Sequence, residues 1–300
     1  SGDALPDNLR DRLVIAPSLV GNGGVDKIAV TTAGGDIAVA RGVTLRTAPG
    51  GSVDLRSRPE VAPPNLYDVE GILDQFGAIT VAGVIETPSG TITLAGRDVT
   101  LAGGARLTAR GQWVNDRVDA NGNPYPGGTG PAGAALPDGG TIDLSALKTL
   151  TIARGSLIDV SAGGWVATDG SLTKGNGGEV RLATSRFIDQ STAIRPSAGK
   201  LVLGGDILGY GLDRGGKLTI RTDRIWIGGG LAPQGALVLD PGFLSRGGFS
   251  DVTLQGYRGV TVAANTVVTP AAPTLRLNPD YLRRAGGSDV KANPRLRTAV

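Results

Sequence analysis

Apolar and polar residues alternate in short runs that recur at a fixed spacing along this chain. Between residues 139 and 164, three apolar–polar–apolar triplets follow one another every eight residues: Ile142-Asp143-Leu144, Leu150-Thr151-Ile152 and Ile158-Asp159-Val160. Such alternation is typical of a β-strand with one buried face, because successive side chains point to opposite faces. The links are too short for helices and unlike the Asn-Gly or Asp-Gly loops of tight hairpins. The pattern predicts three short strands per unit, which together form one coil of a β-solenoid.

The same three-part pattern covers most of the chain and is interrupted by Gly- and Pro-rich stretches. We expect a first strand at Lys27–Thr31, a boundary or cap region over 1–30, a solenoid over 31–290 and a tail over 291–300. The interruptions are interpreted as loop excursions from the coils, at 57–77, 111–138 and 163–177. Loose helical spacing within the first excursion predicts one short helix between Asn65 and Phe76.

An internal repeat is clearest near the C-terminus. The segments Leu239–Val252 and Leu277–Val290 align without a gap at an offset of 38 residues, with eight identities in 14 positions. Glycine pairs that include Gly140, Gly178 and Gly216 are also 38 residues apart. A fixed period in this range is typical of a repeat array rather than a globular domain.

The repeat also predicts which outward-facing side chains are neighbours. Residues at equivalent strand positions should lie in one column along a face, and this column contains Asp143, Arg181, Thr219 and Thr253. We therefore expect Asp143 and Arg181 to be adjacent. An ion pair at such an exposed place contributes less than about 1 kcal/mol.

Composition agrees with a solenoid and narrows the possible chemistry. The chain has 300 residues, which is long for one compact core, whereas the core of a solenoid grows along one axis. It contains 49 Gly, 40% hydrophobic residues, a net charge of +3 and only 12 aromatic residues, which argues against disorder and against a nucleic-acid partner. The absence of Cys, His and Met excludes disulfides, thiolate chemistry and histidine acid–base catalysis.

Neither a membrane span nor a targeting segment is indicated. The apolar run from Leu13 to Val20 is far shorter than the roughly 20 residues that cross a bilayer, and no signal peptide is recognisable. Because the sequence starts at Ser1-Gly2-Asp3 without Met, we expect it to be an excised piece of a longer protein.

Several segments resemble one family of proteins. The residues 109–116 (ARGQWVND), 139–144 (GGTIDL) and 155–164 (GSLIDVSAGG), together with the tail repeat, are similar to filamentous haemagglutinin-type exoproteins. The resemblance implies an all-β, right-handed parallel β-helix with three short strands per coil. It also implies a secreted or bacterial cell-surface protein that is exported through an outer-membrane two-partner secretion transporter.

The chain also departs from that family. The family's N-terminal secretion domain carries Asn-Pro motifs, and nothing in residues 1–60 matches them, whereas Asn278-Pro279 belongs to the tail repeat. We therefore expect an interior or C-terminal segment of the β-helix. Its expected role is that of a monomeric, non-enzymatic, structural or adhesive spacer whose loops attach to a host cell or glycan. No catalytic residue, cofactor or metal site is expected.

Two other classes of function stay open as alternatives. A carbohydrate-active β-helix would need clustered carboxylates on one face. The carboxylates of Asp143 and Asp159 are expected on different arms, Arg181 is the expected neighbour of Asp143, and no column of Asp or Glu is evident. Capture of haem or metal would depend on the five Tyr residues.

Three groups of residues are candidates for binding, each with a simpler interpretation. Asp119, Asn121 and Asn123 alternate as in calcium loops, but the closing Glu is missing, so we favour a turn. The excursion aromatics Trp113, Tyr125 and Trp165 either form a stacking surface or, as we favour, cover the flank of the coils. The remaining group is a basic C-terminal cluster, which could contact anionic glycans or lipopolysaccharide but is better explained as a solvated face: Arg276, Arg283, Arg284, Lys291, Arg295 and Arg297.

Overall fold

The computed structural model describes residues 24–58, 73, 75–119, 121–124, 135–184, 199–277 and 279–283. Within these residues it contains two short 3-10 helices, Pro241–Ser245 and Pro279–Arg283, and 21 strands. The strands are β1 (Lys27–Ala33), β2 (Ile37–Val39), β3 (Thr44–Arg46), β4 (Ser52–Arg58), β5 (Ile79–Val81), β6 (Val84–Glu86), β7 (Thr91–Leu101), β8 (Arg106–Thr108), β9 (Trp113–Asn115), β10 (Thr141–Ile152), β11 (Leu157–Asp159), β12 (Gly164–Val166), β13 (Leu172–Lys174), β14 (Glu179–Ala183), β15 (Lys200–Leu203), β16 (Asp206–Leu208), β17 (Gly216–Thr222), β18 (Ile225–Ile227), β19 (Leu237–Leu239), β20 (Phe249–Gly256) and β21 (Val260–Val262).

Ten strands form the main sheet, and all of its pairings are parallel. Its strands lie in the order β1-β4-β7-β10-β14-β17-β20, which is also their order along the chain. β7 and β10 pair with each other on both sides of a bulge. The second part of β7 also pairs with β5, the second part of β10 also pairs with β15, and β2 pairs with β5. Each strand of the path therefore lies beside the path strand that precedes it in the sequence.

Three smaller sheets complete the architecture. The small sheet has the order β16-β11-β8-β6-β3, and the end sheet has the order β19-β18-β21; both are parallel throughout. The flank sheet consists of β9, β12 and β13, with a parallel pair β9–β12 and an antiparallel pair β12–β13. The prediction of an all-β chain is confirmed, and its sheets are almost entirely parallel.

The apolar positions of the predicted triplets all face the interior. Ile142, Leu144, Leu150, Ile152 and Ile158 are each 0% exposed. They belong to one hydrophobic cluster that includes inward residues from the main, small and end sheets. The alternation in the sequence therefore identified the buried face correctly.

The long strands differ from the prediction of separate short strands. β10 contains both the first and the second triplet, and the register of its pairing with β7 shifts between Ala146 and Thr149. At this bulge two residues of β10, Leu147 and Lys148, lie opposite the single residue Arg97. A bulge bends a strand and increases its twist without ending it. The first two triplets therefore belong to one continuous strand with a bulge between them.

A column of glycines marks the point where the chain enters the main sheet. Gly90, Gly140, Gly178 and Gly216 lie in successive layers, and a Cβ on Gly178 would lie 2.0 Å from the carbonyl oxygen of Gly140. That carbonyl accepts the N–H of Glu179 at 2.9 Å. The 38-residue spacing of glycine pairs therefore reflects close backbone packing, in which a side chain has no room.

The excursions contain strands as well as loops, which the sequence interpretation missed. β9 lies within 111–138, and β12 and β13 lie within 163–177. β1 begins at Lys27, as expected for the first strand, inside the region interpreted as a boundary. Most of 57–77 with its predicted helix, and the tail 291–300, lie outside the described residues.

The regular succession of strands changes near the C-terminus. β18 pairs with both β19 and β21. β19 therefore lies in the same sheet as β18, the strand directly before it in the sequence, and does not form a separate face. Val268 lies in irregular backbone, but its side chain packs against the main core. Among the described residues no helix has the length and apolar character required to cross a membrane.

Candidate interaction surface

The predicted column of outward-facing residues is confirmed by the strand register. Asp143 pairs with Arg181, Arg181 with Thr219, and Thr219 with Thr253. The guanidinium of Arg181 does not form its ion pair across the strands, however. It binds Glu179 on its own strand, with Nη2 to Oε2 at 2.6 Å, in a pair whose Arg side chain is 49% exposed. Such a pair contributes little to stability.

The surroundings of Asp143 change the proton affinity of its carboxyl group. Partial burial on the crowded sheet face raises the pKa of Asp143 above its ordinary value of 3.8. Arg181 and Arg56 oppose this effect, Glu179 adds to it, and Arg221 weakly opposes it. The net direction means that the sheet favours the neutral carboxylic acid.

The raised pKa predicts a pH-dependent effect of Asp143→Asn. The folded state holds the proton more tightly than the unfolded state, so the group stabilises the fold below pH 3.8. That contribution is lost as the pH rises through the raised pKa. We expect the melting temperature of the variant to match or slightly exceed that of the parent chain at pH 7. Below pH 3.8 any advantage should disappear. A variant that is clearly less stable at pH 7 would contradict the direction of the shift.

A second carboxylate lies on the same column, two strands away. Asp54 pairs with Thr93, and Thr93 pairs with Asp143. Because neighbouring strands are about 4.8 Å apart, the two carboxylate-bearing positions are separated by roughly 10 Å. Asp54 accepts a hydrogen bond from Arg56 Nε at 2.7 Å, so it lies beside a fixed positive charge. This pair was missed in the sequence, although Gly50–Leu55 and Gly139–Leu144 share the pattern Gly-Gly-Ser/Thr-Val/Ile-Asp-Leu.

Trp113 lies in a second, smaller hydrophobic cluster on the flank sheet. Its side chain is buried, with 1% of the residue exposed, and the cluster also contains Val166 and Leu212. The rings of Trp113 and Tyr281 are in edge-to-face contact, with their centroids 6.4 Å apart and their planes at 85°. The favoured interpretation of this tryptophan as a flank-covering residue is confirmed. It has no free face on which a ligand could stack.

The residues that follow Trp113 are occupied by contacts within the flank sheet. The side-chain amide of Asn115 donates to the carbonyl oxygen of Leu282 at 3.1 Å. The buried carboxylate of Asp116 accepts from Trp165 Nε1 at 2.8 Å. Asn115 and Asp116 are 0% and 3% exposed. These polar groups therefore hold the flank sheet together. Tyr125, the other excursion aromatic, lies outside the described residues.

The flank sheet is covered by residues 275–283, here named the C-terminal strap. Leu275, Leu277, Tyr281 and Leu282 are partly buried against the Trp113 cluster. The N–H of Leu275 donates to the carbonyl oxygen of Gly211 at 2.8 Å. The sequence analysis did not predict this docking, because it joins segments that lie far apart in the sequence and are linked by no periodic pattern.

The loop that resembles a calcium site is organised as a turn. Oδ1 of Asp119 accepts the N–H groups of Asn121 at 2.8 Å and Asn123 at 2.9 Å. These backbone hydrogen bonds lower the pKa of Asp119 below its ordinary value. Among the described residues no group of three or more His, Cys, Asp or Glu could hold a metal ion. The geometry therefore supports the turn interpretation.

Calcium is expected to leave the melting temperature unchanged, because the Asp119 carboxylate already accepts two backbone N–H groups. A site that binds only the folded state would stabilise it by about 2.7 kcal/mol when calcium is present at roughly 100 times its dissociation constant. A thermal titration with calcium, with magnesium as the control ion, measures this directly. A saturable rise with calcium alone would contradict the turn interpretation.

The basic C-terminal cluster is only partly described. Arg276 and Arg283 are exposed and lie on the C-terminal strap. Arg284, Lys291, Arg295 and Arg297 lie outside the described residues. The two described arginines add positive charge to the outer side of the strap. The interpretation of the whole cluster as a solvated face stays a prediction.

Comparisons with known proteins gave no relative. No protein-family model, no curated protein and no solved structure matches this chain.

Proposed function

We propose that this chain is a segment of a right-handed parallel β-helix and that it acts as a non-enzymatic, stiff spacer. In this proposal the excursion loops attach to a cell surface or glycan. The observation that carries the proposal is the path of the main sheet, β1-β4-β7-β10-β14-β17-β20, whose strands lie side by side in their order along the chain. A compact globular sheet rarely grows in this way, whereas a stack of coils must do so.

The order of strands along the chain supports a winding path. β7 pairs within the main sheet, β8 within the small sheet, and β10 and β11 then repeat this sequence of sheets one layer further. The inward residues of both sheets belong to one hydrophobic cluster. A chain that visits two faces in turn, always in parallel, and fills one shared interior is best explained as a coil around that interior.

The right hand of the proposed helix follows from a general rule. The path from one main-sheet strand to the next is a crossover between parallel strands of the same sheet. Such connections are right-handed in about 98% of cases, because strand twist favours that hand.

The proposed cellular setting rests on the sequence resemblance. Three segments that resemble filamentous haemagglutinin-type exoproteins coincide with β9 and the residues before it, with the start of β10, and with β11 and the turns around it. We propose secretion through a two-partner transporter and a place on the bacterial cell surface. Export would be tested by fusing the chain behind such a transporter's secretion domain. Failure of the fusion to reach the medium would count against this setting.

The attachment role is tested by a glycan and cell-binding screen with a loop variant. Removal of all of 111–138 would also remove β9 and Trp113, so a narrower change is needed. Replacement of 125–134 by a short Gly-Ser linker retains β9 and the turn formed by Asp119, Asn121 and Asn123. We expect this variant to lose binding while its melting temperature stays near that of the parent chain. Unchanged binding would exclude the loop as the attachment site.

One observation favours the carbohydrate-active alternative. Asp54 and Asp143 lie on one face at a separation of roughly 10 Å, near the range of about 6.5–9.5 Å found for two carboxyl groups in inverting glycosidases. The pKa of Asp143 is raised, as a general acid requires. Release of reducing ends from a polysaccharide panel, abolished by Asp143→Asn, would establish this alternative. No release from any polysaccharide leaves the spacer role as the better account.

A further inference from the structure

The C-terminal end of the main and end sheets is open among the described strands. β20 pairs only with β17, and β21 pairs only with β18, so each presents one unpaired edge. The side chains of Val260 and Val262 are 43% and 52% exposed, whereas their register partners Ile225 and Ile227 are buried. Unpaired edges beside exposed apolar side chains are a template for a further strand.

The 38-residue repeat identifies a segment that fits this edge. Main-sheet neighbours are offset by this same number in two successive pairings, Thr141 with Glu179 and Glu179 with Lys217. The tail repeat has the same offset and aligns Val290 with Val252 in β20. The pairing nearest the edge, that of β17 with β20, has an offset of 34 residues, with Leu218 opposite Val252. The repeat in the sequence therefore identifies the next residue, because its two copies align Val290 with Val252.

We propose that the open edge of β20 receives one more parallel strand, and that Ser288–Asn293 of this chain supplies it. In this register Val290 and Ala292 continue the inward columns of Val252 and Leu254. The outward positions are polar, and Pro294 falls opposite Gly256, where β20 ends. A proline at the end of an edge strand suits a position that needs no further ladder hydrogen bond.

The docked strap and the added strand exclude each other. Leu282 contacts Asn115 of β9, in the layer of β7, while the proposed strand lies five pairing steps beyond β7. Five steps span roughly 24 Å along the stack, and the six residues from Leu282 to Ser288 span at most about 20 Å when fully extended. The C-terminal strap must therefore leave the flank sheet before the edge can be extended.

The first copy of the repeat shows the alternative arrangement. Its 3-10 helix ends at Ser245 and β20 begins at Phe249, so only three residues separate them. Phe243 of this helix packs against the main core, whereas its counterpart Tyr281 packs against Trp113 on the flank. In the proposed state the second 3-10 helix moves to the open end and leads directly into the added strand.

Two features of the docked state favour the exchange. The C-terminal strap adds no strand to the flank sheet. Beneath it the buried Nε1–H of Trp113 donates to no group among the described residues. A buried donor without an acceptor is unfavourable, and release of the strap would let water reach it. The C-terminal strap thus either covers the Trp113 cluster or is released so that Ser288–Asn293 can pair with β20.

The test uses cysteine pairs in the full chain, which has no Cys of its own. Neighbouring strands place paired Cα atoms about 4.8 Å apart, within the range that a disulfide bridges. Under mild oxidation we expect an intramolecular disulfide between Thr253→Cys and Lys291→Cys. The matched pair Thr253→Cys and Ala292→Cys should form none, because the two side chains would point to opposite faces. Gln255→Cys with Asn293→Cys provides a second pair at the proposed register.

Release of the strap should accelerate the disulfide. Tyr281→Ser removes the ring that contacts Trp113, and we expect the reaction to become about five-fold faster, since an aromatic pair contributes an amount of that order. Tyr281→Phe keeps the ring and should react at the parent rate. Circular dichroism establishes that each variant is folded.

Two results would overturn the inference. The first is no disulfide at either proposed pair in any folded variant. The second is disulfide-linked dimers instead of an intramolecular bond, which would assign the edge to a second copy of the chain. Neither result bears on the spacer role, because that proposal is tested separately by the binding screen.

Discussion

Gly178→Ala is expected to lower the free energy of unfolding by about 3 kcal/mol, at the upper end of the usual cost of overpacking. The added Cβ would lie 2.0 Å from the carbonyl oxygen of Gly140 and 2.6 Å from the carbonyl carbon of Gly139. Both are backbone atoms of the neighbouring layer, so no side chain can rotate away. Relief requires β10 and β14 to separate, which would lengthen the hydrogen bond from Glu179 N–H to Gly140.

The measurement for this prediction is chemical denaturation of Gly178→Ala beside Gly229→Ala. A Cβ on Gly229 meets nothing within 4 Å, and its backbone does not lie in the left-handed region. The control therefore carries the same chemical change without the contact. We expect the control to remain within about 0.5 kcal/mol of the parent chain, as is usual for surface substitutions. Equal stability of the two variants would show that the glycine column is not closely packed.

Leu144→Ala is expected to cost about 3 kcal/mol, within the range found for truncation of buried leucines. Leu144 is 0% exposed, and its register partners Leu94 and Leu182 are buried to the same degree. Rigid layers on both sides limit how far the cavity can collapse. Ser145→Ala on the outer face of the same strand is the matched control, with an expected change below about 0.5 kcal/mol. Similar losses in both variants would contradict the assignment of inner and outer faces.

The sequence alone was sufficient to predict faces and register in the regular part of the chain. Alternation with a period of two identifies the buried side, because a slip of one residue would turn Ile142 and Leu144 outward. The 38-residue repeat then fixes which residues are neighbours, and Asp143 and Arg181 are paired as predicted. These features depend on local patterns that every layer repeats, so one sequence contains several copies of the signal.

The flank sheet and the C-terminal strap could not be derived in the same way. The contact between Trp113 and Tyr281 joins two distant segments that no period links to each other, and the first repeat copy has no such contact, because Phe243 packs against the main core. The hairpin of β12 and β13 did carry a local signal. Asp169-Gly170 forms its turn, with Gly170 at a φ of 84°, and this dipeptide is typical of such turns. The signal was overlooked because the segment was interpreted only as a loop.

The bulge in β10 and the raised pKa of Asp143 depend on three-dimensional surroundings. Leu147 and Lys148 could equally belong to a loop between two strands, and only the pairing with β7 shows that the strand continues. The pKa follows from crowding by neighbouring layers, which a sequence position does not reveal. The position of Asp54 in the same column as Asp143 could have been predicted from the sequence, because the six-residue pattern around Asp54 matches that around Asp143.

The central claim is that strands are stacked layer upon layer along one axis, and distances between spin labels test it most directly. Ala29 and Thr253 lie in one outward column, six pairing steps apart, and Thr93 lies four steps from Thr253. At about 4.8 Å per step, the stacked arrangement predicts backbone separations of roughly 29 Å and 19 Å for these two pairs. Spin labels attached to Cys residues introduced at these positions should give distances close to these two values, with the Ala29–Thr253 distance the longer one. A separation of Ala29 and Thr253 no greater than that of Thr93 and Thr253 would contradict the stack.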